Sequence, residues 1–307
     1  MVVWSRKNWL PPLALLGALI LAQQTLTLGD SSHFSRALTN AMHIPWSAGV
    51  AVVLWWLMGP RASIPRLLAV CVLVAVVTEL MQIPTARDAS LSDVGRDLIG
   101  TGFAAAGLWS YRNLAGAPRI FVCVLVLIGL TAATVFVPGR VALAYQQRDG
   151  RFPQLLAPGL SRLSPLWRSN CPVSVAPAPD GWMPFSGARV LRLHLCDETY
   201  PGVTLDEVVA DWTGYDQLEA DVYLPGGSPM DITIAVGHVG VPGTSAYVPV
   251  ELDPGANLVR IPLTRLITGA DGKPAAITHL IVHSNRAGAG RDLFIGRIRL
   301  TSDVPPR

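Results

Sequence analysis

Ile120 to Gly139 is a run of 20 residues without one Asp, Glu, Lys or Arg. At about 1.5 Å rise per residue, a helix of that length matches a hydrocarbon layer roughly 30 Å thick. Two further stretches are uncharged, Leu10 to Leu28 over 19 residues and Ala37 to Pro60 over 24, with Pro45 and Trp46 marking where the second helix begins. A fourth apolar stretch runs from about Pro65 to Gln82 with Glu79 as its internal acid, and a fifth, rich in Gly and Ala, from about Asp93 to Tyr111. The expectation is an all-α polytopic membrane bundle of five transmembrane helices, at about 10–28, 45–60, 65–83, 93–111 and 119–138.

Composition agrees with a lipid environment. Half of the 307 residues are hydrophobic, 15% are charged and the mean hydropathy is +0.40, against roughly a quarter charged in soluble domains. A wholly soluble enzyme is excluded as the expectation. The part before Gly139 holds 9 Lys/Arg and 5 Asp/Glu, and the remainder 15 and 16. The net +3 is therefore the flank charge of helices rather than a nucleic-acid surface, and no nucleic-acid partner is expected. Arg6 and Lys7 before the first stretch also fit a signal peptide, but the uncharged run is longer than the usual core and no A-x-A site follows. Arg6/Lys7, Arg61/Arg66 and Arg112/Arg119 fall on one side of such a bundle, against Arg36 and Arg87 on the other. The positive-inside rule then puts the N-terminus in the cytoplasm and, after five crossings, the C-terminal half outside the cell membrane. Trp4, Trp9, Trp46, Trp55, Trp56, Trp109 and Tyr111 lie near expected helix ends, where amphipathic rings sit among headgroups.

Residues 140–165 read as a linker, with Pro153, Pro158 and Pro165 opposing any long helix. Residues 166–303 beat with period two. Leu191, Leu193 and Leu195 alternate with Arg192 and His194, and Leu218, Ala220, Val222 and Leu224 with Glu219, Asp221 and Tyr223. Further runs at 231–236, 246–252, 257–263, 277–283 and 292–300 are separated by turn signals such as Pro225-Gly226-Gly227 and Asp253-Pro254-Gly255. Seven or more short antiparallel strands make an all-β, jelly-roll-like sandwich. Cys71 and Cys123 fall within apolar stretches, whereas Cys171 and Cys196 lie in the outer half and are expected to pair in an oxidising compartment.

Polar residues interrupt the apolar half at one depth. Glu79 and Gln82 share a helix face just before Pro84, and Asp93, Arg96 and Asp97 open the next helix after a loop holding Arg87. A carboxylate near a helix N-terminus is favoured by the macrodipole, and Arg87 or Arg96 is placed to neutralise Glu79. One role for this cluster is an ion-paired clasp between two helices. The other is a catalytic or binding pocket for a lipid-linked or cell-wall headgroup, with the arginines facing anionic oxygens and Glu79 accepting a proton or a hydroxyl.

Glu79-x-x-Gln82, Pro84, Arg87, Ser90 or Ser92, Asp93, Asp97 and Gly100, followed by a Gly/Ala-rich helix, resembles the signature of the VanZ-like family of small polytopic membrane proteins. The motif covers about 25 residues, and the helical layout extends the likeness over roughly the first 140. The family's usual Asn is Asp97 here, which adds a negative charge. The resemblance implies a bacterial cell-envelope protein of a family named for glycopeptide (teicoplanin) resistance.

The outer half is similar to galactose-binding-like jelly rolls and carbohydrate-binding modules through Asp211-Trp212-x-Gly214-Tyr215-x-x-Leu218, the alternating stretch Gly255 to Leu263, and the closing Leu293 to Leu300. The usual Asp of that last strand is Gly296 here. Trp182, Trp212, Tyr215, Tyr223 and Tyr247 are the aromatics that would stack on a sugar, core packing being their other role. His279 and His283 alternate with Leu280 and Val282 and face solvent on this reading. Gly102 and Ala106 suit close helix contact. No ligand spacing for zinc occurs, and neither metal nor cofactor is expected. The functional expectation is an envelope protein whose partners are the bilayer and a cell-wall or polysaccharide ligand. The alternative is a membrane enzyme acting on a lipid-linked glycan or phospholipid headgroup.

Overall fold

The computed structural model describes residues 10–25, 32–59, 62–82, 90–157, 164–183, 185–238, 245–266, 276–285 and 288–302. The chain forms two units, residues 1–142 and 143–307.

The first unit is helical: α1 (Leu10–Thr25), α2 (His33–Met58), α3 (Ile64–Leu80), α4 (Leu91–Asn113) and α5 (Gly116–Arg151), the last crossing the unit boundary. Five helices are present, but two of them, α2 and α5, are long and apolar enough to cross a membrane among the described residues. This corrects the expectation of five spans. The described α1 has 16 residues and α3 has 17, while α4 carries Asp93, Arg96, Asp97 and Arg112 along its length. Counting crossings therefore no longer assigns a side to the second unit. Nor does α2 begin at Pro45: it starts twelve residues earlier, where Ser32 caps it by accepting the Ser35 amide at 3.1 Å, and Pro45 lies inside the helix. α5 runs into the stretch read as a linker because Val141 to Arg148 is made largely of good helix formers.

Buried Ala48, Ala51, Leu54, Leu67, Cys71 and Ala104 knit α2, α3 and α4 together. The closest approach is at Gly100 of α4, where a Cβ would collide with the Ile44 carbonyl and Ser47 Oγ of α2. Gly102, the expected contact, has open space beside it. α5 differs from its neighbours. None of its most apolar stretch is buried, and Ile120, Phe121, Leu127, Ile128 and Phe136 are exposed.

The second unit is a sandwich of two antiparallel sheets. Its strands are β1 (Gln154–Leu156), β2 (Trp167–Ser169), β3 (Val173–Pro177), β4 (Arg189–His194), β5 (Gly202–Asp206), β6 (Gln217–Leu224), β7 (Met230–His238), β8 (Ser245–Leu252), β9 (Gly255–Pro262), β10 (Ile277–Ser284) and β11 (Asp292–Thr301). One sheet has the order β3-β4-β11-β6-β9, with β1 also on β11, and the other β2-β5-β10-β7-β8. All seven runs read from the alternating pattern are strands. Their inward side chains, among them Leu191, Leu193, Leu218, Val222, Ile232, Ile234, Leu280 and Ile295, form one core between the sheets. Pro249 is tolerated because β8 is an edge strand, where a missing ladder donor leaves no central pairing broken.

Cys171 and Cys196 are disulfide-bonded, with Cα atoms 5.5 Å apart. The bridge ties the segment where the chain passes from β2 in one sheet to β3 in the other to the end of β4. Within the same unit, Tyr145 Oη donates to Glu207 Oε2 and Arg148 Nη1 donates to the Glu207 carbonyl. These contacts hold Glu207, a non-glycine residue at φ 51°, in the left-handed region.

Candidate functional site

The polar cluster of the helical unit assembles from three helices. Glu79 occupies the last turn of α3, Gln82 follows it, and Asp93, Arg96 and Asp97 sit in the first two turns of α4, whose N-cap is Ser90. Glu79 is pinned at both oxygens: Gln82 Nε2 donates to Oε1 at 3.1 Å and the Ser90 amide to Oε2 at 3.0 Å. Arg96 Nη1 donates to Asp93 Oδ1. Asp97 pairs with a residue that local spacing does not reveal, His43 of α2, whose Nδ1 lies 3.2 Å from Asp97 Oδ1. The Gly100 contact one turn along α4 brings those two helices close enough for this pair. Ligand-competent atoms of His43, Glu79 and Asp93 all lie within 4.8 Å of one another. Glu79 and Asp97 are each only 4% exposed. Five of the six expected cluster residues are thus gathered; Arg87 lies outside the described residues. Arg96 also lines a mostly apolar cleft of about 490 Å³ with Asn40, Ile44, Ala133 and Phe136.

On the sandwich, the two outer faces differ in kind. The face of the β3-β4-β11-β6-β9 sheet is occupied by its own side chains. Glu219 accepts Arg260 Nε at 3.0 Å on one oxygen and Arg299 Nη2 at 2.6 Å on the other. Asp221 accepts Arg297 Nε at 2.9 Å, and Asp292 accepts Arg192 Nη2 at 2.7 Å and pairs with His194. Burial alone would raise the Glu219 carboxyl, but the Arg299 and Arg260 guanidiniums hold it below the ordinary glutamate range. Asp292 is held low in the same way, burial being opposed by Arg192 and His194. The sign follows. A folded-state pKa below the unfolded one contributes stability that is complete above about pH 4.5 and lost as pH falls through the depressed values. The contribution of these two carboxylates to the unfolding midpoint should therefore be constant above that pH and drop below it, on top of the shallower fall that the depressed His279 pKa starts as pH drops through about 6.5. Glu219→Gln should flatten the acid limb when midpoints are compared across a pH series.

The remaining part of this face is roofed. Trp182 and Phe185 of the loop before β4 pack at a tilt with ring centroids 4.6 Å apart, and Trp182 meets Tyr223 of β6 at 5.5 Å. Gly296 lies beneath them at a register break between β11 and β6, and a Cβ there would come within 2.8 Å of Phe185 and 2.9 Å of Trp182. The missing Asp of this strand thus makes room for two aromatic rings.

The outer face of the β2-β5-β10-β7-β8 sheet is open. One register row crosses all five strands: Tyr247 of β8 opposite Ala235 of β7, then Ile281 of β10, Thr204 of β5 and Arg168 of β2. With strands about 4.8 Å apart, the row spans roughly 19 Å. The neighbouring rows bring Gly237, His279 and Asp206 to one side of it and Thr233, His283 and Gly202 to the other. A Cβ at Gly237 would collide with the His279 ring, so that imidazole lies against the sheet. Burial holds the His279 pKa below the ordinary histidine value. Arg168 Nη2 donates to Asp206 Oδ1 at 2.7 Å, and the Tyr200 ring meets His283 at 5.3 Å. Tyr247 is 61% exposed.

The five aromatics singled out from the sequence do not come together. Trp182 lies in the roof, with Tyr223 under it. Trp212 is 2% exposed and donates its indole N–H to the Val209 carbonyl, while Tyr215 packs on the core and on Phe152. Tyr247 alone of the five stands on the open face. The open-face residues Arg168, Thr204 and Asp206 are absent from the sequence reading; only the register of β2 and β5, both short, would have revealed them.

No family model and no curated protein matches this chain. The VanZ-like resemblance therefore rests on the motif residues between Glu79 and Gly100, and any link to glycopeptide resistance on the family name. Among solved structures the chain is similar to an exo-beta-agarase, at 12% identity and TM-score 0.40, over 50% of this chain and 25% of that one. It is also similar to a family 11 carbohydrate-binding module from Clostridium thermocellum in complex with a beta-1,3-1,4-mixed-linked tetrasaccharide, at 14% identity and TM-score 0.36, over 48% and 97%. A third is the CBM22-1 xylan-binding domain from Paenibacillus barcinonensis Xyn10C, at 16% and 0.36, over 49% and 96%. The chain spans about a quarter of the agarase and nearly all of each module.

Proposed function

We propose that this chain is a membrane-anchored envelope protein whose β-sandwich recognises a glycan on the open face of its five-stranded sheet. The register row from Tyr247 to Arg168 carries this reading. It offers an aromatic ring at one edge, the Arg168 guanidinium at the other, a low floor of Ile281 and Thr204 between them, and the polar side chains of His279, His283 and Asp206 along its flanks. An apolar floor with a few convergent polar groups suits a ring that is apolar on its faces and hydroxylated at its rim. The length of the row suits several linked sugars rather than one.

Anchoring in a bilayer is supported by α5, an apolar helix that packs on the unit through Gly129 and Leu130 while Ile120, Phe121, Leu127, Ile128 and Phe136 stay exposed, an apolar surface that water would solvate at high cost. Arg112 over Trp55 and Arg119 over Tyr111 mark one end of the helical unit with the cation and aromatic pairing typical of headgroup depth. An extracytoplasmic sandwich is supported by the Cys171–Cys196 bridge, since disulfides persist in oxidising compartments.

The test uses full-length protein, extracted in detergent from membranes that retain it through an alkaline wash, and incubated with cell-wall sacculi and with soluble mixed-linkage β-glucan. Wild type should bind at least one of them. Tyr247→Ala should weaken that binding roughly tenfold, the equivalent of about 1.4 kcal/mol. Leu258→Ala, exposed on the opposite sheet, should leave it unchanged. Equal binding by the Tyr247 and wild-type proteins would remove the open face as the site.

A second reading is favoured by the convergence of Glu79, Asp93 and Asp97 with His43 beside the cleft lined by Arg96. On it, the helical unit acts on an anionic headgroup held by Arg96, with Glu79 as proton acceptor.

A further inference from the structure

We propose that His43, Glu79 and Asp93 form a binding site for one divalent transition-metal ion, Zn2+ or Mn2+, with Asp97 as its positioning residue. The inference does not rest on the glycan reading.

Three consecutive helices, α2, α3 and α4, each supply one donor, and every pair of donor atoms lies within 4.8 Å. Metal–ligand bonds of about 2.0–2.2 Å put adjacent ligands about 3 to 3.6 Å apart, so side-chain rotations of about an ångström close the set around an ion. One imidazole with two carboxylates suits zinc or manganese, rather than copper(I), which prefers sulfur, or magnesium and calcium, which prefer oxygen alone.

The surrounding contacts orient these donors. With Nδ1 of His43 facing Asp97 Oδ1 at 3.2 Å, the imidazole donates there, and a metal would be taken by Nε2 of the neutral ring. This is the carboxylate–histidine arrangement that fixes metal-binding histidines elsewhere. Glu79 is steadied by Gln82 and the Ser90 amide, each taking one lone pair of a different oxygen and leaving the second for a metal.

Charge points the same way. Among the described residues the cluster holds three carboxylates, Glu79, Asp93 and Asp97, against one guanidinium, Arg96. Two of those carboxylates are almost fully buried in an apolar unit. Uncompensated buried charge is costly, and a divalent cation with neutral His43 brings the sum to zero.

The test is made on untagged full-length protein in detergent, stripped with a chelator, titrated with ZnCl2 or MnCl2 and passed through a desalting column. Bound metal is then measured by mass spectrometry and, for manganese, by electron paramagnetic resonance. Wild type should retain one equivalent, while His43→Ala and Glu79→Gln should retain almost none. Asp97→Asn should keep the stoichiometry with affinity lowered roughly 10–100-fold, an effect a purely structural aspartate would not produce. His194→Ala, on the sandwich, should match wild type. If Glu79→Gln does not fold, His43→Gln and Asp93→Asn decide on the same readout. A folded wild type that retains no metal, or a His43 variant that retains a full equivalent, overturns the site and leaves a protonated or ion-paired clasp.

Discussion

Trp182→Ala should lower the stability of the β-sandwich by about 3–5 kcal/mol, the range for emptying a buried aromatic site. Trp182 is 2% exposed, packs at a tilt against Phe185 and Tyr223, and covers the one position of β11 with no side chain of its own. The rings around it have nowhere to collapse, because Gly296 below sits at a register break that fixes the strand. For a domain of this size the loss corresponds to a drop of roughly 6–20 °C in the unfolding midpoint. Gly296→Val should be damaging for the opposite reason, by pushing a side chain into Phe185 and Trp182. The double variant should then be less unstable than the sum of the two, since the new side chain occupies the space the indole vacates. A shift below about 2 °C for Trp182→Ala would mean that the roof does not contribute to the fold.

Removing the disulfide by Cys171→Ser with Cys196→Ser should cost about 3 kcal/mol on the chain-entropy estimate for the 25-residue separation. The bridge fastens the segment that leaves one sheet for the other, where nearby polar contacts also act. Ser169 Oγ donates to the Gly202 carbonyl at 2.7 Å, and Asn170 accepts the Gly202 amide at 3.0 Å and donates to the Tyr200 carbonyl at 2.9 Å. Those bonds should keep the fold intact at low temperature while the midpoint falls, and added reductant should produce the same fall in wild type. An unchanged midpoint would show that Asn170 and Ser169 hold the crossover alone. Thiols at both positions in protein taken from intact cells would place the sandwich in a reducing compartment, against the envelope reading.

What the sequence disclosed depended on whether a pattern was local. Leu218, Ala220, Val222 and Leu224 announce their strand because the core-facing side of β6 repeats every second residue, and Glu219 and Asp221 between them mark its opposite, ion-paired face. β5 did not announce itself: five residues from Gly202 to Asp206 are too few to show a period, and four of them are buried. The same limit governs the helical cluster. Glu79 with Gln82, and Asp93 with Arg96 and Asp97, declare themselves through helical spacing. His43 is far upstream, and the Gly100 approach that brings it to Asp97 is a packing fact. Residue type also left Trp182 and Tyr247 indistinguishable as sugar-stacking candidates. The loop before β4 separates them, folding the tryptophan over one face while the tyrosine stays bare on the other.

The grip of Tyr145 and Arg148 on Glu207 has a practical corollary for anyone excising the sandwich as a free-standing fragment. The obvious cut, at the prolines after the helix, would discard both side chains and release a glutamate from a backbone shape it does not choose unaided. A fragment that keeps this grip begins inside α5, near Leu143, and carries the tail of a helix as part of a β protein.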